Sequence, residues 1–369
     1  MRILYLTVSV GGGHLKAAEA IKGCFETKYP GSQHMIIDAL KYVNPVLDKI
    51  VVGSYLSTIK TTPQLYRILY KRSETGDNIY DFSSKVSQLL SFKMMDLIED
   101  FKPDAIICTH PFSLQFMSRF KTKKGMTIPI IATLTDFNVH SFWLYDFIDA
   151  YVVAHEYMKY DMVKRGIPEG KIFPYGIPVS DKFLEKKERS KLIEEFNLED
   201  RKYTALVMGG SLGFGKMIDS IRSLAESDLD HQIIVITGKN NRKENELKQL
   251  ASEMGKPIKI ISYTDRVADY MEVSDFIITK PGGMTLAESL VKVLPIFIVS
   301  PIPGHEEDNA QFLLNMGCAV RIWKYTDMDI IIKETIENPL RLNQMKEMAK
   351  FLARPYAAEN TVTLVENLI

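Results

Sequence analysis

Eleven short, β-branched apolar runs, separated by amphipathic stretches, constrain this chain of 369 residues more than any other feature. Six fall in the first half: Arg2–Val10, Met35–Ile37, Ala105–Cys108, Ile130–Leu134, Ala150–Ala154 and Lys171–Phe173. Five follow: Thr204–Met208, Gln232–Thr237, Ile258–Ile261, Phe276–Thr279 and Ile296–Val299. Runs this apolar are buried on both faces, and that is the habit of parallel strands covered by crossover helices. Two successive βα series predict an α/β protein of two Rossmann-like, doubly wound domains. Length agrees, since one core rarely grows past about 250–300 residues. Pro174-Tyr175-Gly176-Ile177-Pro178 interrupts any regular element, so the expected domains are 1–176 and 177–354. A charged helix is expected over Asp181–Phe196, and a last amphipathic helix over 355–369 is expected to pack back on the first domain.

Charge excludes one class of function. With 46 Lys/Arg against 46 Asp/Glu, the chain has no net charge to neutralise a polyanion, so no nucleic-acid partner is expected. Residues 1–176 hold 21 basic and 17 acidic residues, which leaves 25 and 29 beyond them. The three cysteines, Cys24, Cys108 and Cys318, fit small buried side chains in a reducing compartment. No signal peptide is read at Met1-Arg2, and no stretch reaches the ~18–20 apolar residues of a spanning helix.

Residues 40–102 break the βα rhythm with helical patterns rich in aromatic and basic side chains. Tyr55, Leu65, Tyr66, Arg67, Leu69, Tyr70, Lys71 and Arg72 suit either a helical layer packed on the sheet or an interfacial surface. In the second case the aromatics would sit at headgroup depth and the cations would meet anionic lipid.

The first chemical element is Gly11-Gly12-Gly13-His14, which follows strand one and opens a helix. Glycines allow a tight turn that leaves helix N-terminal N–H groups uncovered for a ligand. The G-x-G-x-x-G spacing of dinucleotide folds is absent. The helix dipole favours neutral His14, as a general base requires; the plainer alternative is a histidine that caps the helix. Thr135-Asp136-Phe137-Asn138-Val139-His140 follows another strand, where Asp136 and His140 either assist a base or form a surface turn.

In the second half, Gly210 to Lys216 satisfies G-x-x-x-x-G-K, but Met217 stands where a P-loop needs Ser or Thr. Strand Phe276–Thr279 also lacks a magnesium-binding carboxylate. A diphosphate cradled by backbone N–H groups and Ser211 remains, and it needs no metal. Pro281-Gly282-Gly283-Met284-Thr285 is a strand-to-helix turn suited to an anion, with Glu288 about a turn further on to accept from ribose hydroxyls. Gly304-His305-Glu306 opens another helix, in which Glu306 and Asn309 suit hexose hydroxyls. Without HExxH or CxxC, no metal site is expected.

In order and spacing, the Gly11–His14, Asp136–His140, Gly209–Gly213, Pro281–Glu288 and Gly304–Asn309 elements resemble the diacylglycerol glycosyltransferase family. That family includes monogalactosyldiacylglycerol synthases and processive diacylglycerol glucosyltransferases. A more distant likeness is to the N-acetylglucosaminyltransferase that makes the lipid-linked peptidoglycan precursor. The resemblance implies a GT-B fold with its domains facing across a cleft, inversion at the anomeric carbon, and no metal or other cofactor. It implies a UDP-sugar (glucose or galactose) as co-substrate on the C-terminal domain. There Tyr263 and Thr264 would lie near uracil, Glu288 at ribose, and Gly210, Ser211 and Gly213 at the diphosphate. Gly13, Pro281, Gly282, Gly283, Met284, Thr285, His305, Glu306 and Asn309 would complete the donor site. A diacylglycerol-type lipid would be the acceptor, and the enzyme would sit peripherally on the cytoplasmic face of the membrane. His305-Glu306 departs from the glutamines often found there.

His14 is the expected base, with Asp136 or His140 in support. Two rival readings are a UDP-sugar enzyme with another acceptor, such as an N-acetylglucosaminyl transferase or a 2-epimerase, and a non-catalytic UDP-sugar sensor.

Overall fold

The computed structural model describes the chain except Val10, residues 46–52, 54–61, 75–83, 210–216, 239–240 and Gly255. It divides into two units. The first holds Met1–Ser180, Ile302–His305 and Arg354–Ile369, and the second holds Asp181–Pro301 and Glu306–Ala353. The boundary thus falls after Ser180, a few residues beyond the Pro174–Pro178 interruption.

In the first unit, six strands form one sheet: β1 (Arg2–Thr7), β2 (Gln33–Asp38), β3 (Ala105–Cys108), β4 (Ile130–Thr133), β5 (Ala150–Val152) and β6 (Ile172–Phe173). Their order is β2-β1-β3-β4-β5-β6 and every pairing is parallel. β1 and β3 are neighbours, so their crossovers leave on opposite sides and open the crevice in which such sheets bind ligands. Ile3, Tyr5, Ile107, Ile131 and Val152 meet Ala18, Ile21 and Phe25 of helix Gly13–Lys28 in the core. Spacings of three, four and seven residues place those three side chains on one helical face. Helix Ala357–Glu366 completes this core with Val362 and Val365, and Lys28 pairs with Glu366 at 2.8 Å.

In the second unit, β7 (Tyr203–Met208), β8 (His231–Ile236), β9 (Ile258–Ile261), β10 (Phe276–Thr279), β11 (Ile296–Ile298) and β12 (Ala319–Arg321) lie in the order β12-β11-β10-β7-β8-β9. Here the switch point falls between β7 and β10, which pair in register from Phe276↔Ala205 to Thr279↔Met208. β12 has no counterpart among the sequence-expected strands, because three residues are too few to show a period.

The expected helix over Asp181–Phe196 is broken. A 3-10 turn covers Asp181–Phe183 and an α-helix covers only Arg189–Glu195. Charges of this stretch reach other elements: Lys187 Nζ meets Asp269 Oδ1 at 2.6 Å, and Arg189, the first residue of that helix, reaches Asp275 at 3.3 Å. Residues 40–102 carry helices Pro63–Glu74 and Ser84–Phe101. No described helix is long and apolar enough to cross a membrane.

Candidate functional site

The first unit gathers its chemistry at the β1/β3 switch point. Gly11 and Gly12 adopt φ of +73° and +80°, a backbone open to glycine, and turn the chain from β1 into helix Gly13–Lys28. Gly12 holds the cap position, and His14 stands on the first turn inside it. Its Nδ1 lies 2.7 Å from the Thr109 carbonyl after β3 and 2.8 Å from Thr135 Oγ1 after β4. A carbonyl oxygen only accepts, so Nδ1 carries the proton and neutral His14 presents a lone pair at Nε2. Burial holds the imidazole below its ordinary pKa, opposed by the Asp136 carboxylate and the Thr109 bond and reinforced by His305. His110 packs edge-on to His14 with ring centroids 4.5 Å apart, and burial keeps it neutral.

The other strand-end histidines behave differently. Nδ1 of His110, His140 and His155 accepts from the backbone N–H of Phe112, Phe142 and Tyr157, at 3.1, 3.2 and 3.2 Å. These three rings cap helices. The Nε2 of His140 faces Glu74 Oε1 at 3.4 Å and the Tyr70 carbonyl at 3.5 Å, so one nitrogen caps the Ser141–Trp143 turn and the other faces helix Pro63–Glu74. Asp136 is half-buried beside His14 and acts on it through its charge.

Glu74 is the anchor of that helix, accepting from Ser141 N at 3.1 Å and from Arg165 Nη1 at 3.1 Å. Arg67, Lys71 and Arg72 are exposed, as is Ile68 at 50%. Tyr70, expected on the lipid-facing surface, turns inward instead. Its ring lies 4.5 Å from that of His140, and a β-carbon at Gly304 would meet it at 2.8 Å. Three-to-four residue periodicity separates these faces. Tyr55 and the side chains of Leu65, Tyr66 and Leu69 lie outside the described residues. His305 clusters with the first unit, its ring 6.4 Å from Tyr70.

In the second unit the Pro281–Thr285 turn leaves β10 at the β7/β10 switch point. Helix Gly283–Val291 starts at Gly282 without a side-chain cap, so its first N–H groups point outward at the positive end of the dipole. Asn309 and Glu306 brace this turn. Asn309 is fully buried and its Nδ2 donates to the Pro281 carbonyl at 3.1 Å. Glu306, 2% exposed, pairs with Lys280 Nζ at 2.5 Å. Sequence reading missed Lys280, whose signal was a lone cation leaving an apolar strand. Lys280→Met would remove the cation from a buried carboxylate beneath the turn. The expected result is about 3–5 kcal/mol lost from the second unit in denaturant unfolding, as in other broken buried pairs. Unchanged unfolding would show that the pair carries no such weight.

Met284 is buried, while Thr285 and Glu288 are half-buried on the same helix, Glu288 in its second turn. Tyr263 is 53% exposed after β9, and Thr264 Oγ1 accepts from Arg266 N at 3.1 Å. β9 lies three strand intervals from β10, about 14 Å across the sheet. Gly210, Ser211 and Gly213 lie outside the described residues. Among the described residues, no cluster of His, Cys, Asp and Glu suits a metal ion.

Comparison with known proteins places both units. Residues 14–179 match the monogalactosyldiacylglycerol (MGDG) synthase family model, and residues 204–361 match the glycosyltransferase family 28 C-terminal domain. The processive diacylglycerol beta-glucosyltransferase of Bacillus cereus (strain AH187) is 30% identical over 370 residues, covering 99% of this chain and 93% of that protein. The Bacillus pumilus (strain SAFR-032) protein of the same name is 28% identical over 369 residues, covering 100% and 94%. Among solved structures, Acinetobacter baumannii MurG superposes with a TM-score of 0.66 at 17% identity over 99% of each chain. Neisseria meningitidis UDP-GlcNAc 2-epimerase bound to UDP-GlcNAc gives 0.65 at 15% identity over the whole of both chains. At such identities the structural neighbours establish the fold.

Proposed function

Because this chain belongs to the diacylglycerol glycosyltransferase family and has the GT-B fold, we propose that it moves glucose or galactose from a UDP-sugar to diacylglycerol or a glycosyldiacylglycerol, with inversion. The observation that carries this reading is His14, whose bonds at Nδ1 leave Nε2 as a base. In the proposed step Nε2 takes the acceptor hydroxyl proton as that oxygen bonds to the anomeric carbon. The bond from that carbon to the UDP oxygen breaks on the opposite side. Charge growing on UDP meets the uncapped N–H groups of Gly283, Met284 and Thr285, so the reaction runs without a bound metal. Relatives named for diacylglycerol support a lipid acceptor for the first unit, and UDP-sugar complexes of the same fold support a donor site on the second.

The exposed Arg67, Ile68, Lys71 and Arg72 support peripheral contact with an anionic membrane surface. The test is diacylglycerol in phosphatidylglycerol vesicles with UDP-glucose, UDP-galactose or UDP-N-acetylglucosamine, and glycolipid read by mass. A hexosyl product is expected from one of the first two donors. Product only with UDP-N-acetylglucosamine, or none, would overturn the reading. Flotation of the same vesicles should carry the protein, and the triple Arg67, Lys71, Arg72→Gln variant should remain at the bottom.

A further inference from the structure

The three histidines that cap helices accept a hydrogen bond at Nδ1, whereas His14 donates one there. Two oxygens on exits of adjacent strands cause this difference. The first is the Thr109 carbonyl at 2.7 Å, which no side-chain substitution removes. The second is Oγ1 of Thr135, a residue 4% exposed, 2.8 Å from the same nitrogen. Were Nδ1 unprotonated, its lone pair would face the carbonyl oxygen at a distance that only a hydrogen bond makes favourable. One N–H therefore serves both oxygens. A general base is oriented by a third group at its far nitrogen, often a carboxylate or a backbone carbonyl, and here the contacts at that nitrogen are a carbonyl and a hydroxyl.

We propose that Thr135 is a positioning residue for His14: its hydroxyl, with the Thr109 carbonyl, fixes the Nδ1–H tautomer and stabilises the imidazolium formed when Nε2 takes the acceptor proton. This rests on the reading of His14 as the base. The proton on Nδ1 never leaves. As positive charge develops on the ring, its bonds to both oxygens become charge-assisted and strengthen. Other charged or titratable groups facing His14 are Asp136 after β4, His110 after β3, and His305. Asp136 favours the imidazolium through space and His305 opposes it. The Thr135 hydroxyl thus adds direction where Asp136 adds charge. Its β-branched side chain is also stiff about χ1, which keeps the oxygen in place.

The experiment compares Thr135→Val, which keeps shape and loses the hydroxyl, with Thr135→Ser, which restores it. Thr135→Val should lower kcat about tenfold or more, the weight of a hydrogen bond to a charged group. Its acid limb should move to lower pH, with KM for the UDP-sugar unchanged. Thr135→Ser should recover both rate and profile. Nitrogen-15 imidazole spectra of the unliganded protein should show His14 protonated at Nδ1 in wild type. Should Thr135→Val prove unfolded, Thr135→Ala and the wild-type spectra carry the same test. Wild-type kcat and pH profile in the folded hydroxyl-less variant, or an Nε2–H tautomer in wild type, would overturn the proposal. His14→Ala separates the two claims. Its inactivity beside an unaffected Thr135→Val would sink the positioning role alone, and its full activity would sink both.

Discussion

His14→Ala is expected to lose about a thousandfold in kcat while binding the UDP-sugar as tightly as wild type, the middle of the range for removing a general base. Donor affinity should hold because the Pro281–Thr285 turn and its braces belong to the second unit. The pH profile follows from the same geometry. A base must be neutral, and burial lowers the His14 pKa from its ordinary value near 6.5. Neutral His14 therefore persists below that pH, and the acid limb of kcat/KM should fall on the acid side of 6.5. An acid limb above 6.5, or near-wild-type turnover of His14→Ala, would remove His14 from the role. Stability follows the same sign. His110 is also buried with its pKa well depressed, so the unfolded chain binds more protons below pH 6.5. The fold should weaken as pH drops through that value.

Gly176→Ala is expected to be the most damaging small substitution in the first unit. Gly176 has φ of +103°, where an L side chain is strained at a cost of about 1–3 kcal/mol. An added β-carbon would stand 2.2 Å from Arg354 Cβ and 3.3 Å from Ala357 Cβ, where the last helix begins. These are atoms next to backbone, so relief requires moving the helix that carries Val362 and Val365 into the core. Overpacking of this kind adds about 1–3 kcal/mol, which brings the total to roughly 2–6 kcal/mol. Gly170→Ala is the control, since nothing lies within 4 Å of its added carbon. Thermal unfolding should separate the two variants, and hydrogen exchange should show Ala357–Glu366 opening first in Gly176→Ala. Coincident melting curves would contradict the steric argument.

Local chemistry made much of this protein legible. Apolar runs such as Ile130–Leu134 and Phe276–Thr279 announced buried parallel strands, and Gly11-Gly12 announced the tight turn before His14. The capping histidines were not legible. His140 and His155 do the work of the Ser, Thr, Asp or Asn that usually marks a helix start, so His140 looked like a partner for a base. Glu306 and Asn309 were expected to hold donor hydroxyls from their side-chain chemistry at a helix start and from the family resemblance. Which neighbour each side chain met, Lys280 or the Pro281 carbonyl, depended on how helix His305–Asn315 packs against the β10 exit.

The glycine turn that leads into His14 was therefore a property of the sequence, because glycine backbone freedom and helix start signals act over a few residues. The tautomer of His14 was not. It required β1, β3 and β4 to lie side by side, bringing oxygens 95 and 121 positions away in the chain to one ring nitrogen. Strand order is settled by burial and crossover packing over the whole sheet, which no short stretch of sequence encodes.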